Sequence, residues 1–388
     1  MRISIPISAF VAAIVGFGGT LAIIIAAANA VGATQLQTAS WVTALCIAMA
    51  VESLWLSWRT KMPIISAWST PGAALIAASN GFSMGEAVGA FLIAGALLVL
   101  TGLFKPLTRL ISKIPASVAS GMLAGILVSF ALNAVKTIPV DPWLVLPLIA
   151  AFFLIRLWNP ALSVLAVLIG GGLAAFLTGR VGGLPTPELS TLTLIAPVFT
   201  AQAAIGLALP LYLVTMASQN LSGLAVLRAA GYDQPAARPI VSTSAIASIA
   251  LAPFGCHGLN LAAFTAAICL GPDAHPDPAR RYMAGIAGGV TYLVFGAFAA
   301  TVLALFATLP KTLIAALAGL ALFPVVANSL STALRAEQGR DAALVTFAVS
   351  ASGMTLAGLG SAFWGLIFGL AVHLLQSLIA KRPDQASA

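Results

Sequence analysis

Long apolar runs alternate with short breaks of Pro, Gly and charge from one end of this 388-residue chain to the other. Run length and break position predict fourteen membrane segments. The first seven cover about 8–31, 38–58, 63–79, 85–104, 116–134, 142–157 and 161–179. The second seven cover about 199–220, 236–251, 252–270, 281–308, 312–334, 341–355 and 358–379. A polar, Pro- and Thr-containing stretch, 182–197, links the halves, and 381–388 is a polar tail. Two segments break the pattern: Pro63–Asn80 (PIISAWSTPGAALIAASN) and Ala252–Cys269 (APFGCHGLNLAAFTAAIC). Each opens on Pro, Gly and small polar residues, then turns apolar for too short a run to cross as one helix. They lie about 190 residues apart, close to half the chain. Interrupted segments at matching places in two halves point to the binding region of a transporter.

Composition sharpens this picture. Hydrophobic residues make up 60% of the chain and charged residues 7%, too little charge to cover a water-facing surface, and the mean hydropathy is +1.06. The expected fold class is therefore an all-α integral membrane protein, since short alternating strands of the barrel kind are missing. The N-terminal run, ending at Ala28, Asn29 and Ala30, has some features of a signal peptide. It is about 20 residues long and has a counterpart in the second half, so it is read as the first membrane helix.

The net charge of +8 is explained by topology rather than by nucleic acid. With the N-terminus inside, inner loops and tails hold Arg2, Arg59, Lys61, Lys105, Arg109, Lys113, Arg156, Arg228, Arg238, Arg280, Arg281, Arg335, Arg340, Lys381 and Arg382. That is 15 of the 18 basic residues; Lys136, Arg180 and Lys311 fall outside. This bias predicts both termini in the cytoplasm. Seven crossings per half is an odd number, so the halves would be inverted repeats. Asn29 to Gly32 and Asn220 to Gly223 match at an offset of 191. Gly pairs at four-residue spacing (Gly121/Gly125, Gly285/Gly289, Gly365/Gly369) would let helices approach closely. Cys46, Cys256 and Cys269 sit in or beside apolar runs without metal or disulfide spacing.

The two interrupted segments are each expected to be a short strand followed by a half-helix. Extended backbone is tolerated at that depth only when buried in protein or lining a wet cavity. Ser69, Thr70, Pro71 and Gly72 read as one helix start, and Gly258 with Asn260 as the other, with His257 just before it. Two half-helix N-termini meeting near the midplane would offer N–H groups and partial positive charge to an anion. The alternative is a pair of kinked packing helices. Gln219 and Asn220 are amides inside an apolar run, fit for substrate hydrogen bonds or for interhelical packing. His257 reads either as a ligand and proton carrier or as a satisfied structural group. His373 reads as structural, and Thr20 and Asn29 are weaker site candidates. Glu52 is a carboxylate well inside a segment, the kind of group a proton carrier needs, unless it snorkels toward the cytoplasm near Arg59.

The stretches SAWSTPGAAL (66–75), PLYLVTMASQNLSGLAVLRAAGY (210–232) and FGCHGLNLAAFTAAIC (254–269) resemble the bacterial benzoate transporter family, the benzoate/proton symporters. The resemblance spans essentially the whole chain, and that family is similar in architecture to uracil-permease-type carriers with 7+7 inverted repeats. It implies a first repeat whose core part is 1–104 and whose gate part is 116–179. It implies a second repeat with core part 199–308 and gate part 312–379, and substrate held between segments three and ten. Nucleobase carriers of that fold usually hold the base with glutamates from segments eight and ten, where this chain has Gln219 and Leu259. Their absence fits an anionic aromatic carboxylate better than a neutral base.

The resulting expectation is a multi-pass secondary transporter of the bacterial inner membrane that imports benzoate or a related aromatic carboxylate with a proton. Its carboxylate would contact Ser69, Thr70, Gln219, Asn220 and Asn260, and its ring Trp68 and Phe264. His257 or Glu52 would carry the proton. No cofactor, metal or nucleic acid is expected, and a homodimer is. Two alternatives stay open: a carrier of the same fold for a nucleobase or another anion, and an anion channel. An integral-membrane enzyme is disfavoured, because the ten acids fall almost entirely at segment ends and form no HExxH or Asp-rich motif.

Overall fold

Residues 4–79, 81–103, 114–232, 237–262, 264–272, 274–335, 337 and 339–380 are described by a computed structural model of the chain. Helix α1 is Ser4–Ala30 and α2 is Gln35–Thr60. Thr34 opens α2 with a capping box to Gln37, and Lys61 closes it in the left-handed region at φ 55°. Strand β1 (Ser66–Trp68) leads into α3 (Thr70–Ala78), followed by α4 (Met84–Leu103), α5 (Ala116–Lys136), α6 (Pro142–Trp158) and α7 (Pro160–Leu177). The second half opens on α8, a helical run over 201–229 with π-helical stretches at Ala204–Ala208 and Thr215–Asn220. It therefore runs about two turns beyond the expected end at 220. Helix α9 (Ala237–Leu251), strand β2 (Leu259–Leu261) and α10 (Phe264–Leu270) follow. Then come α11 (Tyr282–Ala297), α12 (Ala299–Thr308), α13 (Lys311–Leu334), α14 (Arg340–Ala351), a hairpin of β3 (Thr355–Leu356) and β4 (Leu359–Gly360), and α15 (Ser361–Ala380).

Six of these helices are long and apolar enough to cross a bilayer alone: α1, α2, α4, α5, α13 and α15. The pair around α11 and α12 passes the same test as one span bent by 64°. Four shorter apolar helices accompany them: Pro142–Trp158, Leu162–Leu177, Ala201–Val214 and Pro239–Phe254. The chain is an all-α, multi-pass membrane protein.

Close helix approach explains the glycines. A Cβ on Gly289 of α11 would lie 2.6 Å from Leu54 Cγ and 3.0 Å from Ala50 O, so α11 lies directly on α2. Gly121 and Gly125 of α5 meet the backbone of α14 in the same way. Further packing pairs α9 with α4, α1 with α3 and α11, and α13 with α5; α14 lies against α5 and α15. The main buried core brings together Leu21, Ile23 and Ile24 of α1 with Trp41, Leu45 and Met49 of α2 and Phe91 of α4.

The inter-half stretch 182–198 is an extended strap. Its backbone N–H groups are satisfied from core helices: Ser190 N donates to Ala297 O (2.8 Å), Ile195 N to Pro253 O (2.7 Å) and Val198 N to Gly85 O (2.9 Å). Thr193 N donates to Ser40 Oγ at 2.8 Å.

Candidate functional site

Strands β1 and β2 pair antiparallel in the register Ser66↔Leu261, Ala67↔Asn260, Trp68↔Leu259. The ladder extends at both ends, with Ser69 N donating to Gly258 O (3.0 Å) and Ala262 N to Ile65 O (2.9 Å). Each strand thereby satisfies the other's backbone inside the protein, which is what allows extended chain at this place. The first helix starts where the sequence puts it. Ser69 accepts from Gly72 N at 3.1 Å and Pro71 occupies the first turn, where its missing N–H costs nothing.

The second helix does not start at Gly258 and Asn260. Gly255 and Gly258, at φ +104° and +144°, turn the chain, and Asn260 lies within β2. Helix α10 begins at Phe264. Glycine is needed in this turn because both φ values lie where side chains are strained. A Cβ on Gly255 would also sit 2.7 Å from Trp41 Cβ.

A cavity of about 1010 Å³ opens beside the strand pair. Trp68, Thr70 and Pro71 face it from the first segment, Ala262 and Thr265 from the second. Thr20 of α1, Tyr292 of α11 and Asn328 and Ser329 of α13 add polar groups; Val15, Phe17, Met49, Leu213, Val214 and Met216 add largely apolar wall. The described lining holds no Asp, Glu, Lys or Arg but includes His373. The indole N–H of Trp68 donates to Thr20 Oγ1 at 2.8 Å, and its ring lies 5.4 Å from that of Phe17. Trp68 is thereby fixed with one face to the cavity. An apolar pocket with a few hydroxyls and a helix start suits an amphipathic anion carrying a ring.

The remaining expected residues lie behind this wall. Ser69 is buried, its hydroxyl 3.0 Å from Thr215 Oγ1. Asn220 is fully buried: Oδ1 accepts from Leu261 N at 3.2 Å, and Nδ2 has no protein partner. Asn260 is satisfied with its amide oxygen toward Ser69 N (3.2 Å) and its nitrogen toward Leu261 O (2.9 Å). His257 is buried with both ring nitrogens engaged. Nδ1 accepts from Trp41 Nε1 at 3.0 Å, and Nε2 faces Ser69 O at 2.9 Å, so the neutral Nε2–H tautomer fits. Gly72 is buried one turn into α3. The side chains of Gln219 and Phe264 lie outside the described residues. Glu52 is fully buried and accepts from Ser66 Oγ at 2.6 Å and from Ser244 Oγ. It does not snorkel: it is tied to β1 and α9, while Arg59 lies over Trp55.

Thr265, Tyr292, Asn328 and Ser329 were not among the expected site residues. A tyrosine or an Asn–Ser pair inside an otherwise apolar segment is the signal that marks three of them. Among the described residues no cluster of His, Cys, Asp or Glu is placed to hold a metal ion.

Comparison with known proteins places this geometry in context. A family model described as BenE, benzoate membrane transport protein, matches residues 2–375. The inner membrane protein YdcO of Escherichia coli (strain K12) is 41% identical over 378 residues, covering 97% of this chain and 96% of that protein. A benzoate membrane transport protein of Acinetobacter baylyi (strain ATCC 33305 / BD413 / ADP1) is 37% identical over 375 residues, covering 96% and 95%. Among solved structures, the transmembrane domain of a cyanobacterium bicarbonate transporter, BicA, superposes with a TM-score of 0.61 at 17% identity, over 97% of this chain and 98% of that one. SLC26A9 superposes at 0.60 and 12% identity, over 96% of this chain and 65% of that one. At these identities the likeness concerns the fold alone.

Proposed function

The chain belongs to the benzoate membrane transport protein family, and from that premise we propose that it imports benzoate, or a closely related aromatic carboxylate, together with protons. Family membership makes it a secondary transporter of the bacterial inner membrane rather than an enzyme. The finer reading rests on the cavity at the strand pair, which combines an indole face, a capped helix start and hydroxyls without any acidic side chain in its described lining. The benzoate carboxylate would rest at the start of α3 against Thr70, with Thr20 and Thr265 near it. The ring would lie on Trp68. Asn220, with a free amide N–H just behind β2, is the next donor in reach of a rearranged site.

In this reading the chain crosses the membrane fourteen times, as two inverted repeats. The antiparallel meeting of β1 and β2 from matching places in the two halves supports that arrangement. The core would comprise 1–104 and 199–308 and the gate 116–179 and 312–379. Packing of α2 on α11 and α4 on α9, and separately of α5 on α13 and α14, supports the division.

Both termini would be cytoplasmic, and the cavity would open inward. Its lining includes Thr101, Ile114, Pro115, Pro160, Thr332 and His373, which lie toward the segment ends that carry the basic residues, and that supports an inward opening. At the opposite end Gln202 Nε2 donates to Gly358 O at 2.8 Å, joining α8 to the β3–β4 hairpin. Rocking of gate against core would open that end and close the other.

Uptake of radiolabelled benzoate into proteoliposomes, with and without an inward proton gradient, tests this reading. Gradient-stimulated, saturable uptake is expected. Good uptake of a nucleobase or inorganic anion with none of benzoate would overturn the substrate, and unsaturable conductance would overturn the carrier.

A further inference from the structure

Glu52 is a fully buried carboxylate for which no cationic partner is found among the described residues. Its two oxygens accept hydroxyl hydrogen bonds from different elements, Oε2 from Ser66 of β1 at 2.6 Å and Oε1 from Ser244 of α9. Ser66 is also held through its backbone N–H, which donates to Ser53 Oγ at 3.0 Å. Ser244 Oγ has a second acceptor, Ile240 O, at 3.1 Å. From Ser244 the contacts continue: Ser248 Oγ donates to Ser244 O (2.7 Å), and Leu259 N of β2 donates to Ser248 Oγ (2.9 Å). One carboxylate therefore stands behind both strands of the ladder that carries Trp68.

We propose that Glu52 is the residue that carries the symported proton, and that Ser244 makes this possible by switching its hydroxyl between the Glu52 carboxylate and the Ile240 carbonyl. The inference rests on the transport reading above and names its coupling group. When Glu52 is ionised, both serine hydroxyls donate to it. When it is protonated, the new O–H needs an acceptor, and Ser244 Oγ becomes one once its own hydrogen turns to Ile240 O. Both protonation states are thus hydrogen-bonded, which avoids the cost of an unsatisfied buried polar group in either. The proton comes from cavity water. One O–H bond forms on the carboxylate, one is lost from a hydronium ion, and otherwise hydrogen bonds alone rearrange. The route is short, because Met49, one turn before Glu52 on the same helix face, and Ala67, next to Ser66, both line the cavity.

No neighbouring group among the described residues competes for the role. On α2 itself, Arg59 and Lys61 are exposed and lie over Trp55, and over Trp58 and Tyr282, respectively. In the turn before β2, His257 has both nitrogens engaged and the Cys256 thiol is buried. Among the described residues, Cys46 of α2 and Tyr292 of α11 are the remaining titratable groups of the elements packed around this helix; the side chain of Arg238 on α9 lies outside the described residues. Cys46 and Tyr292 are both already protonated near neutral pH and have no site for a further proton. Protonation of Glu52 also changes the charge behind the strand pair by one unit. That couples proton binding to the cavity, because a neutral Glu52 removes a buried negative charge near the place where an anion is to sit.

The test uses the full-length protein in proteoliposomes. Glu52→Gln keeps one acceptor and puts a donor in place of the other, as the protonated acid does, but cannot titrate. It should lose proton-gradient-driven accumulation of benzoate, retain benzoate exchange at equal pH, and make that exchange independent of pH. Ser244→Ala should lower accumulation and displace its pH midpoint. Glu52→Gln that accumulates benzoate like the parent overturns the proposal. Infrared titration of the parent protein covers the case in which the variant does not fold. A protonated-carboxyl band that appears on acidification and moves in Ser244→Ala upholds the assignment, and its absence overturns it. Failure of the parent to transport benzoate at all would instead refute the substrate reading, and the infrared titration would still decide whether Glu52 titrates.

Discussion

The first strand–helix segment passes from β1 through a capping serine straight into the nine-residue helix α3, and its Trp68, Thr70 and Pro71 face the cavity. The second spends its opening residues on a left-handed glycine turn. It anchors His257 between Trp41 and Ser69 O, and it reaches the cavity with Ala262 and Thr265 ahead of and within the seven-residue helix α10. On the proposed reading, segments at matching places in two repeats would have diverged in duty. One would present groups to the substrate, and the other would brace it.

The sharpest way to break this contrast is at the brace. Gly255→Ala places a Cβ against Trp41 at a strained φ and should cost about 3 kcal/mol of stability. A lowered melting temperature and loss of monodisperse protein in detergent would show it, and a parent-like melt would mean the turn is not locked. Next comes the presenting side. Trp68→Ala should raise the KM for benzoate roughly 30-fold, from about 2 kcal/mol of lost apolar contact. Thr70→Val, which removes one hydroxyl at nearly constant volume, should raise it about tenfold, as for a hydrogen bond to a charged group. Thr265→Val should change it less than about threefold. Equal effects of the two threonine variants would show the segments sharing the carboxylate evenly. The smallest transport effect is expected at His257. Its Gln variant should melt lower but keep KM and the pH profile of uptake within about twofold, because its bonds are structural. A flattened pH profile would return the histidine to proton duty.

The parts of this design legible in the sequence are local. Ser69, Thr70 and Pro71 form a helix start recognisable from three consecutive residues, and the apolar run lengths place most helices other than α8 and α10 within a few residues of their ends. The start of α10 was misplaced because Gly258 and Asn260 look like a helix entry. They serve a turn and a strand whose partner lies in the other half of the chain, and such pairing leaves no mark in either segment. The extension of α8 to residue 229 passes through polar residues, Ser218 to Asn220, where the apolar pattern stops and the hydrogen-bonded helix does not. Glu52 was visible as a carboxylate in an apolar run. Its serine partners, 14 and 192 residues away, were not, because only tertiary packing brings them together.

The β1–β2 ladder also has a consequence for how the protein is made. Its two strands are separated by about 190 residues, so at ordinary translation rates β1 enters the membrane roughly 10 to 40 s before its partner exists. Throughout that interval Ser66 to Trp68 carry backbone amides that lipid cannot satisfy. The nascent third segment must therefore wait in a hydrated or insertase-held state until the later half arrives. A chain that terminates early is an unfinished substrate for membrane quality control, not a stable half-transporter.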